Sequence, residues 1–484
     1  MTLQSVLDEI QNRPGTGDLI PIIDPATEEQ IGEFRDGGAE AVDAAVARAR
    51  ESFVSGVWSA IPGSERAKVL WRVADLIDQH AEELAQIDSA NTGMPYMQAF
   101  MIMSTSAETF RYYAGWCTKV NGIAHDVQQT GGIAGMFTNM HAYTLKQPYG
   151  VVGLIFPWNG PVFNACTKLA PALAAGCSCV VKPAEETPLS ALLLNRILTE
   201  AGVPDGVVNL VTGYGHTAGA AITAHPGVEK VAFTGSTDVG RQIVSASTGN
   251  LKRVMLELGG KSPVLIYDDA DIDKAITMAS MGIFIHSGQG CISGSRIFAQ
   301  RSIYDRVVQG VADMANTVCL GGPQDENALI GPIISQKQVN RVMGFIDEGK
   351  RDGVEVVTGG ERLDRPGYFV HPTVLTDVDP SMRLYQQEIF GPVVAILPFD
   401  DDDQVVELAN NSEYGLAATA WTKDIARAHG LAKRIQAGTV TLNCQMVFDH
   451  SMPFGGHKQS GWGYEWGRDG IESFMQTKTV YAQL

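Results

Sequence analysis

The stretch KVAFTGSTDVGRQIVSAS, residues 230–247, predicts a buried strand, a glycine-containing turn and a helix in direct succession. Its first part, 230–234, is apolar and lacks polar alternation, which is typical of a strand covered on both faces. A helix is expected over 239–247. Gly235 and Gly240 enclose four residues, so the turn has the pattern GxxxxG. Such a turn can bind phosphate through free N–H groups at the helix start, but Gly-Ser-Thr turns are also common without a ligand.

Four further apolar runs likewise lack polar alternation, and predicted helices such as 188–201 lie between them. They are VVGLIF at 151–156, CSCVVK at 177–182, VVNLV at 207–211 and RVMLEL at 253–258. Short buried runs separated by helices predict a doubly wound α/β fold with a parallel sheet, whose ligands bind beyond the carboxyl ends of the strands.

Other regions lie on both sides of this core. Upstream, apolar residues on one face predict a single helix over 64–85. Downstream, a second α/β region is expected over 261–459. The last residues, SFMQTKTVYAQL at 473–484, predict a strand that pairs with another segment or with another subunit.

The chain has 484 residues, too many for one simple core, so two or more lobes are expected. Its 54 acidic and 36 basic residues give a net charge of −18, which argues against nucleic acid or an anionic membrane as a partner. The sequence has no apolar run of about 18–20 residues and no pattern of a secretion signal. The seven cysteines are scattered without metal-type spacing, so we expect no metal and a reduced, cytoplasmic protein.

Cys291 lies in the glycine-rich segment SGQGCISGSR (287–296) rather than in an apolar helical stripe. A core cysteine normally has apolar neighbours at the helical or strand spacing. A thiol in a glycine-rich turn is accessible and can be activated by a base or by nearby dipoles. The local sequence is compatible with a nucleophile and with an incidental cysteine.

Polar residues at the predicted strand ends are further candidates. Glu257 lies in an apolar run, so it is either structural and bonded to backbone, or a general base with a raised pKa. Asn159 follows a strand, where its amide can face a ligand. Lys182 ends another strand and Glu185 lies one turn further on. A carboxylate there can bind both ribose hydroxyls of an adenosine and repel a 2′-phosphate, which favours NAD over NADP, although a surface pair flanking a turn is an ordinary alternative.

These signals coincide in one family, because the sequence resembles the aldehyde dehydrogenase superfamily along nearly its whole length. The matching stretches occur in the family's order and close to its spacing. They are PWNGP (157–161), KPAEETPLSA (182–191), FTGSTDVG (233–240), LELGGKSP (256–263), GQGCISGSR (288–296), EIFGPV (388–393) and PFGGHKQSG (453–461).

The resemblance implies a catalytic role for each matching residue. Cys291 resembles the nucleophile that forms a thiohemiacetal, which becomes a thioester after hydride leaves. Glu257 resembles the base that activates water for hydrolysis of that thioester. Asn159, together with the backbone N–H of Cys291, resembles the oxyanion hole. Lys168 and Glu465 resemble a pair that helps to move protons.

The resemblance also implies NAD as the cofactor. Lys182 and Glu185 resemble the adenosine-ribose ligands, and Glu388 resembles the nicotinamide-ribose ligand, with Phe390 beside the ring. The other residues assigned to the cofactor site are Ile155, Phe156, Pro157, Trp158, Gly215, Gly235, Ser236, Gly240 and Leu258.

The family's architecture implies three parts. An NAD-binding domain is expected over 1–125 and 149–259, and a catalytic domain over 260–459. An oligomerisation arm and C-terminal strand are expected over 126–148 and 460–484. The expected assembly is a homodimer or a homotetramer.

The substrate tunnel is where this chain departs from many relatives, because Gly160 stands where they carry a large residue. Loss of an aromatic side chain can release on the order of 100 Å³, which predicts a roomy, largely apolar tunnel for bulky or long aldehydes. The alternative is that another residue fills the space. The residues assigned to the tunnel are Gly160, Asn164, Thr167, Ile292, Phe448 and Phe454.

Three other functions are weighed against hydrolytic aldehyde oxidation. CoA-acylating relatives generally lack the base carboxylate, whereas this chain has Glu257. A catalytically idle binding or structural member should have lost Cys291, Glu257 or Asn159, and all three are present. A different NAD enzyme on a doubly wound fold would not account for the cysteine and the buried glutamate together.

Overall fold

The structure is a computed structural model that describes residues 2–126 and 140–483. Its helices are α1 (Leu3–Gln11), α2 (Gly38–Ser55), α3 (Gly63–Gln79), α4 (Ala81–Thr92), α5 (Tyr96–Ala114), α6 (Pro161–Ala175), α7 (Leu189–Ala201), α8 (Ala220–Ala224), α9 (Thr237–Ser247), α10 (Ile272–Phe284), α11 (Tyr304–Thr317), α12 (Gln336–Arg351), α13 (Arg383–Gln386), α14 (Asp402–Asn410), α15 (Ile425–Arg434) and α16 (Gly467–Glu472). Within these described ranges, no helix has the length and apolar character needed to cross a membrane.

The strands, again in chain order, are β1 (Leu19–Ile23), β2 (Gln30–Arg35), β3 (Ala124–Asp126), β4 (Met140–Pro148), β5 (Val151–Phe156), β6 (Ser178–Pro183), β7 (Val208–Leu210), β8 (Lys230–Thr234), β9 (Arg253–Glu257), β10 (Pro263–Ile266), β11 (Arg296–Gln300), β12 (Glu355–Thr358), β13 (Thr373–Thr376), β14 (Val393–Phe399), β15 (Tyr414–Gly415), β16 (Ala417–Trp421), β17 (Thr439–Leu442), β18 (His457–Lys458), β19 (Gly461–Trp462) and β20 (Met475–Gln483).

A six-stranded sheet has the order β19-β9-β8-β5-β6-β7 and is parallel except for β19. The chain runs outward from β5 through β6 to β7, then returns to build β8 and β9 on the other side of β5. The direction of winding therefore reverses between β5 and β8, and ligands of such sheets bind at this reversal. The predicted doubly wound fold is confirmed.

Alternate residues of β5 explain why its sequence is apolar throughout. Val152, Leu154 and Phe156 pack into a core with α3 to α7, whereas Val151 and Ile155 pack into a second core with α2 and α9. A strand covered by helices on both faces buries every side chain, so its sequence shows no polar alternation.

A seven-stranded sheet forms the second α/β region, in the order β12-β13-β14-β11-β10-β16-β17 and parallel except for β12. Residues of α10 and α11 cover one face, and residues of α12 and α15 cover the other. The segment with Cys291 connects α10 to β11, so this sheet supplies the thiol.

A three-stranded antiparallel sheet has the order β20-β4-β3. The C-terminal strand β20 thus pairs with β4 of its own chain, while its opposite edge lies at the border of the sheet. Residues 127–139 of the predicted arm lie outside the described residues. Before β20, Gly461 and Trp462 pair with β9, so the segment after residue 460 also extends the six-stranded sheet. The division into domains remains a prediction.

The single helix predicted over 64–85 is wrong, because the chain forms α3 and α4 with a break at His80. The His80 N–H donates to the carbonyl of Leu76 and its own carbonyl accepts from Leu84, so His80 ends one helix and begins the next. Ile77 and Leu84 nevertheless pack in the same core. The apolar pattern therefore continues across the break.

Candidate active site

The candidate residues gather where the carboxyl ends of the six-stranded sheet meet the segments that lead into the strands of the seven-stranded sheet. Asn159 follows β5, Glu257 is the last residue of β9, and Cys291 precedes β11. The Asn159 side chain donates from Nδ2 to the carbonyl oxygen of Gln289 at 2.8 Å, which links the two sheets two residues before Cys291. Gly260 allows the segment after β9 to approach the Cys291 segment closely, because a Cβ at residue 260 would lie only 2.2 Å from the Cys291 carbonyl oxygen.

Cys291 is half-buried and follows a tightly turned segment. His286 and Ser287 have φ of 53° and 57°, and Gly288 has φ of 67°, so three successive residues are left-handed. This conformation is costly for residues with a side chain and is maintained only where the surroundings hold it. Burial, followed by the nearby carboxylates, raises the pKa of the Cys291 thiol to about 12. The free site therefore holds a neutral thiol.

Glu257 is buried at 3% exposure, and neither carboxyl oxygen has a hydrogen-bond partner within the described residues. Burial and then the charge of Glu465 raise its pKa well above the ordinary range, while Lys168 acts in the opposite direction. A buried, unpaired carboxyl beside a nucleophile has the properties of a general base. The structural alternative, a carboxylate bonded to backbone, receives no support from these contacts.

Lys168 and Glu465 form a salt bridge in which both side chains are buried. Lys168 is carried by α6, and Glu465 lies between β19 and α16. Both influence the pKa of Glu257, so the pair lies beside the candidate base. The predicted grouping of these three residues is thus present.

Asn159 retains hydrogen-bonding capacity toward the cleft. A primary amide carries two N–H donors, and one of them is used by the Gln289 carbonyl. The Asn159 Oδ1 atom is buried and has no partner among the described residues. The contact with Gln289 fixes the amide plane, and the second N–H remains for a bound oxygen.

The residues predicted for the adenosine side lie at the end of β6. Lys182 is buried, donates to the Pro183 carbonyl at 2.8 Å and lies 3.4 Å from a Glu185 carboxyl oxygen. Burial lowers the pKa of Lys182, and Glu185 counteracts this effect. Gly215 opens the turn 215–219, which Asp36 holds by accepting a hydrogen bond from Thr217 at 2.6 Å.

The glycine turn after β8 faces the same edge. Ser236 is the N-cap of α9, and its hydroxyl accepts from the Val239 N–H. The Gly235 N–H donates to the Glu257 carbonyl at 3.0 Å. Gly240 packs against Leu258, since a Cβ at Gly240 would lie 2.7 Å from that side chain. The GxxxxG pattern therefore serves close packing as well as an open helix start.

The other residues predicted for the cofactor site divide into those with side chains at the cleft and those with side chains buried in the cores. Glu388 accepts from the Gly260 N–H at 2.9 Å, and burial raises its pKa to about 7. The rings of Trp158 and Phe390 meet edge to face at 5.3 Å. Ile155 and Phe156 are buried in the two cores, so their side chains face away from the cleft, whereas Pro157 is half-buried at its edge.

A cavity of about 500 Å³ lies beside the thiol segment and is partly aromatic. Ile292, Phe448 and Phe454 line it, as predicted, together with Trp466 and Gln445. Gly160, Asn164 and Thr167 are not among its lining residues. The Asn164 amide folds back onto the Gly160 carbonyl at 2.9 Å, and Phe163 lies 6.5 Å from Phe448 between ring centres. Part of the space beside Gly160 is therefore taken by other side chains.

Several residues of the site were not predicted. Gln289 is fully buried, and its side chain also accepts from the Ile334 N–H at 2.9 Å, so it fixes the segment that carries the thiol. Trp466 contacts Phe163, Phe448 and Phe454. A polar residue two positions before Cys291 and an aromatic directly after Glu465 were the available sequence signals.

Among residues 2–126 and 140–483, no group of three or more His, Cys, Asp and Glu side chains has an arrangement that could hold a metal ion.

Comparison with known proteins agrees with this geometry. The model of the aldehyde dehydrogenase family matches residues 13–480. Human retinal dehydrogenase 2 is 43% identical over 472 residues, which cover 97% of this chain and 89% of the relative. Aldehyde dehydrogenase 1 of Tanacetum cinerariifolium is 43% identical over 467 residues, covering 96% and 92%.

Solved structures give the same result. The NAD+ complex of an aldehyde dehydrogenase from Bacillus cereus has a TM-score of 0.95 and 43% identity, covering 100% of this chain and 98% of that one. A betaine aldehyde dehydrogenase from Staphylococcus aureus in complex with NAD+ has a TM-score of 0.95 and 35% identity, covering 99% and 96%. The chain belongs to the aldehyde dehydrogenase family.

Proposed function

We propose that this protein oxidises an aldehyde to the carboxylic acid with NAD, through a thioester on Cys291. The observation that carries the proposal is the meeting of a thiol, a buried unpaired carboxyl and an amide donor at one cleft. Cys291 and Asn159 come from two different loops and Glu257 from the end of β9, and Cys291 and Glu257 are close enough for the Glu257 charge to raise the pKa of the thiol.

In the first step the Cys291 sulfur loses its proton to water and forms a bond to the carbonyl carbon. The electron pair of the C=O bond moves to oxygen, where the free N–H of Asn159 and the backbone N–H of Cys291 stabilise it. Bound NAD supplies the acceptor for the hydride that leaves the tetrahedral carbon, and the product of this step is a thioester on Cys291.

In the second step Glu257 accepts a proton from water, whose oxygen attacks the thioester carbon. The C–S bond then breaks, the acid leaves, and the sulfur returns to its starting state. The raised pKa of Glu257 makes it a stronger base than an exposed glutamate once it is ionised. This carboxyl favours hydrolysis over transfer of the acyl group to CoA.

The residues present fit a dinucleotide. Lys182 and Glu185 would hold the adenosine ribose, the start of α9 at Ser236 would hold the pyrophosphate, and Glu388 would hold the nicotinamide ribose. Support comes from Lys182, Glu185 and Ser236, which follow β6 and β8 at the carboxyl edge of the six-stranded sheet. The half-buried Glu388 carboxyl, one oxygen of which accepts from the Gly260 N–H, lies on the other side of the cleft.

For the substrate we propose bulky or long, largely apolar aldehydes. Support comes from the cavity of about 500 Å³ with Phe448, Phe454 and Trp466 in its wall. A Cβ at Gly160 would make contacts no closer than 3.4 Å, so the position accepts a side chain. Gly160 does not line this cavity, but a ring there would lie beside Phe163, which contacts Phe448 of the cavity wall. Gly160→Phe should therefore lower kcat/KM for decanal or geranial more than for acetaldehyde, with Gly160→Ala as the control. A wild-type preference for acetaldehyde would refute this substrate class.

We further propose the predicted three-part division into domains and a homodimer or homotetramer as the working form. The free edges of β17 and β20 support association, because each presents unpaired backbone groups at the border of its sheet. Sedimentation of the wild type and of a Thr477→Pro, Thr479→Pro double variant would test this. Identical monomeric behaviour of both proteins would contradict the proposal. All seven cysteines are free thiols, which supports the cytoplasm as the compartment.

The activity is tested by NADH absorbance with a panel of aldehydes, with and without CoA. Cys291→Ala should abolish turnover, whereas Cys319→Ala, at an exposed cysteine, should leave it unchanged. Unchanged turnover of Cys291→Ala would refute the mechanism, and a requirement for CoA would replace it with the acylating one.

A further inference from the structure

The end of helix α4 contains buried polar side chains that do not face the cleft. Asp88, Ser89, Asn91 and Thr92 are each exposed by no more than 3%. Buried polar groups are costly unless they are hydrogen-bonded, so their partners indicate what they do. Ser89 and Thr92 bond locally, to the carbonyls of Met94 and Asp88. The other two reach distant segments.

Asn91 binds the loop between β6 and α7 at two points. Its Nδ2 donates to the Glu186 carbonyl at 2.9 Å, and its Oδ1 accepts from the Leu189 N–H at 3.2 Å. Leu189 is the first residue of α7, and the local N-cap, Pro188, has no hydrogen-bonding side chain. Asn91 therefore caps a helix that begins 98 residues later in the sequence.

Asp88 has a comparable position toward helix α6. Its carboxyl lies near the backbone N–H of Val162, the second residue of α6, and near the hydroxyl of Ser190 in α7. Gly160, the N-cap of α6, has no side chain with which to cap the helix itself. Burial raises the pKa of Asp88 to about 7, and its Oδ1 has no hydrogen-bond partner among the described residues, so Asp88 lies beside the helix start without forming a charged cap.

We propose that Asn91 is a positioning residue for cofactor binding, which it serves by fixing the Lys182–Glu185 segment through the Glu186 carbonyl and the start of α7. Asp88, one turn earlier on α4, lies beside the start of α6, the helix that follows Asn159. The end of α4 is thus bonded to the loop of the adenosine ribose and close to the helix that follows the oxyanion-hole residue. This inference rests on the proposed function, because it assumes that the Lys182–Glu185 segment binds the nucleotide.

The test is the dissociation constant for NAD, measured by calorimetry, for the wild type, Asn91→Ala and Ser89→Ala. Ser89 is the matched control, since it is polar, equally buried and on the same helix but bonds locally. Asn91→Ala should raise the constant about tenfold, the order of one lost buried hydrogen bond, while kcat at saturating NAD changes little. Both variants should show comparable losses of thermal stability, so stability alone does not distinguish them.

A third variant, Asn91→Asp, separates the two bonds. It retains an acceptor for the Leu189 N–H but sets a carboxylate oxygen against the Glu186 carbonyl, so its effect on NAD affinity should be at least as large as that of Asn91→Ala. An NAD affinity of Asn91→Ala within twofold of the wild type would overturn the inference, as would an equal effect of Ser89→Ala. An NAD affinity of Asn91→Asp close to that of the wild type would overturn the role of the Glu186 contact.

The outcomes separate this inference from the proposed function. A wild-type protein that binds NAD but oxidises no aldehyde would refute the activity, and the affinities of the variants would still decide the role of Asn91. A wild-type protein that binds no NAD would refute the cofactor and this inference together.

Discussion

The Cys291 thiol should be unreactive in the free protein at neutral pH, and removal of a neighbouring carboxylate should make it more reactive. Burial is the largest cause of its raised pKa of about 12, followed by the charges of Glu388 and Glu257. At pH 8 a thiol with this pKa is ionised to about 1 part in 10⁴, whereas an ordinary thiol with a pKa of about 8.5 is ionised to roughly a quarter. The expected difference in thiolate content is about three orders of magnitude.

The assay is alkylation by iodoacetamide between pH 7 and 9, followed by peptide mass spectrometry. Because only the thiolate reacts, the rate at Cys291 should rise about tenfold for each pH unit throughout this range. Cys319 is exposed and provides an internal reference for the reagent in the same sample. Glu388→Gln and Glu257→Gln should each lower the pKa of Cys291, and thereby raise its alkylation rate at pH 8.

A matched control removes a carboxylate from elsewhere. Glu472 forms salt bridges with Lys146 and Arg468, and Glu472→Gln should leave alkylation of Cys291 unchanged. Alkylation that is fast at pH 7 and independent of pH would show that the thiolate already exists in the free protein. That result would refute the reasoning from burial and repulsion.

Three further predictions concern the other residues of the cleft. Asn159→Ala removes an oxyanion donor and should lower kcat/KM about 100-fold with unchanged NAD affinity; equal kcat/KM would exclude the role. Lys168→Met leaves the buried Glu465 carboxylate without its partner, which should cost about 3–5 kcal/mol in the free energy of unfolding. It should also shift the pH dependence of thioester hydrolysis to higher pH, because Lys168 lowers the pKa of Glu257; an unshifted profile would contradict this. Glu185→Gln should raise the kcat/KM ratio of NADP to NAD, and an unchanged ratio would remove the ribose contact.

Two of the five predicted strands of the six-stranded sheet match the structure to the residue. The runs 151–156 and 230–234 coincide with β5 and β8, where apolar content and length agree with the adjacent turns. The other three runs, 177–182, 207–211 and 253–258, differ from β6, β7 and β9 by one residue at one or both ends, because strand limits depend on the pairing with neighbouring strands.

The site residues that could be predicted were those with an unusual local setting, such as Glu257 in an apolar strand. The residues that were missed owe their roles to distant partners. Gln289 matters because Asn159 and Ile334, which lie 130 and 45 positions away, bond to it. Trp466 matters because Phe163, Phe448 and Phe454 converge on its ring. Neither convergence has a periodic signature in the sequence, and the local signals, a polar residue two positions before Cys291 and an aromatic after Glu465, do not identify the distant partners.

The electrostatics of the cleft favour the formation of one negative charge at a time. Burial raises the pKa values of Cys291, Glu257 and Glu388, and the charges of both carboxylates raise that of the thiol further. Ionisation of one group therefore opposes ionisation of the next. Lys168 could have relieved this repulsion, but its charge is balanced by the buried Glu465 beside it. The proposed chemistry needs the thiolate in the first step and the carboxylate base in the second. Thioester formation removes the thiolate before the carboxylate base is needed, so the proposed chemistry does not require both charges together.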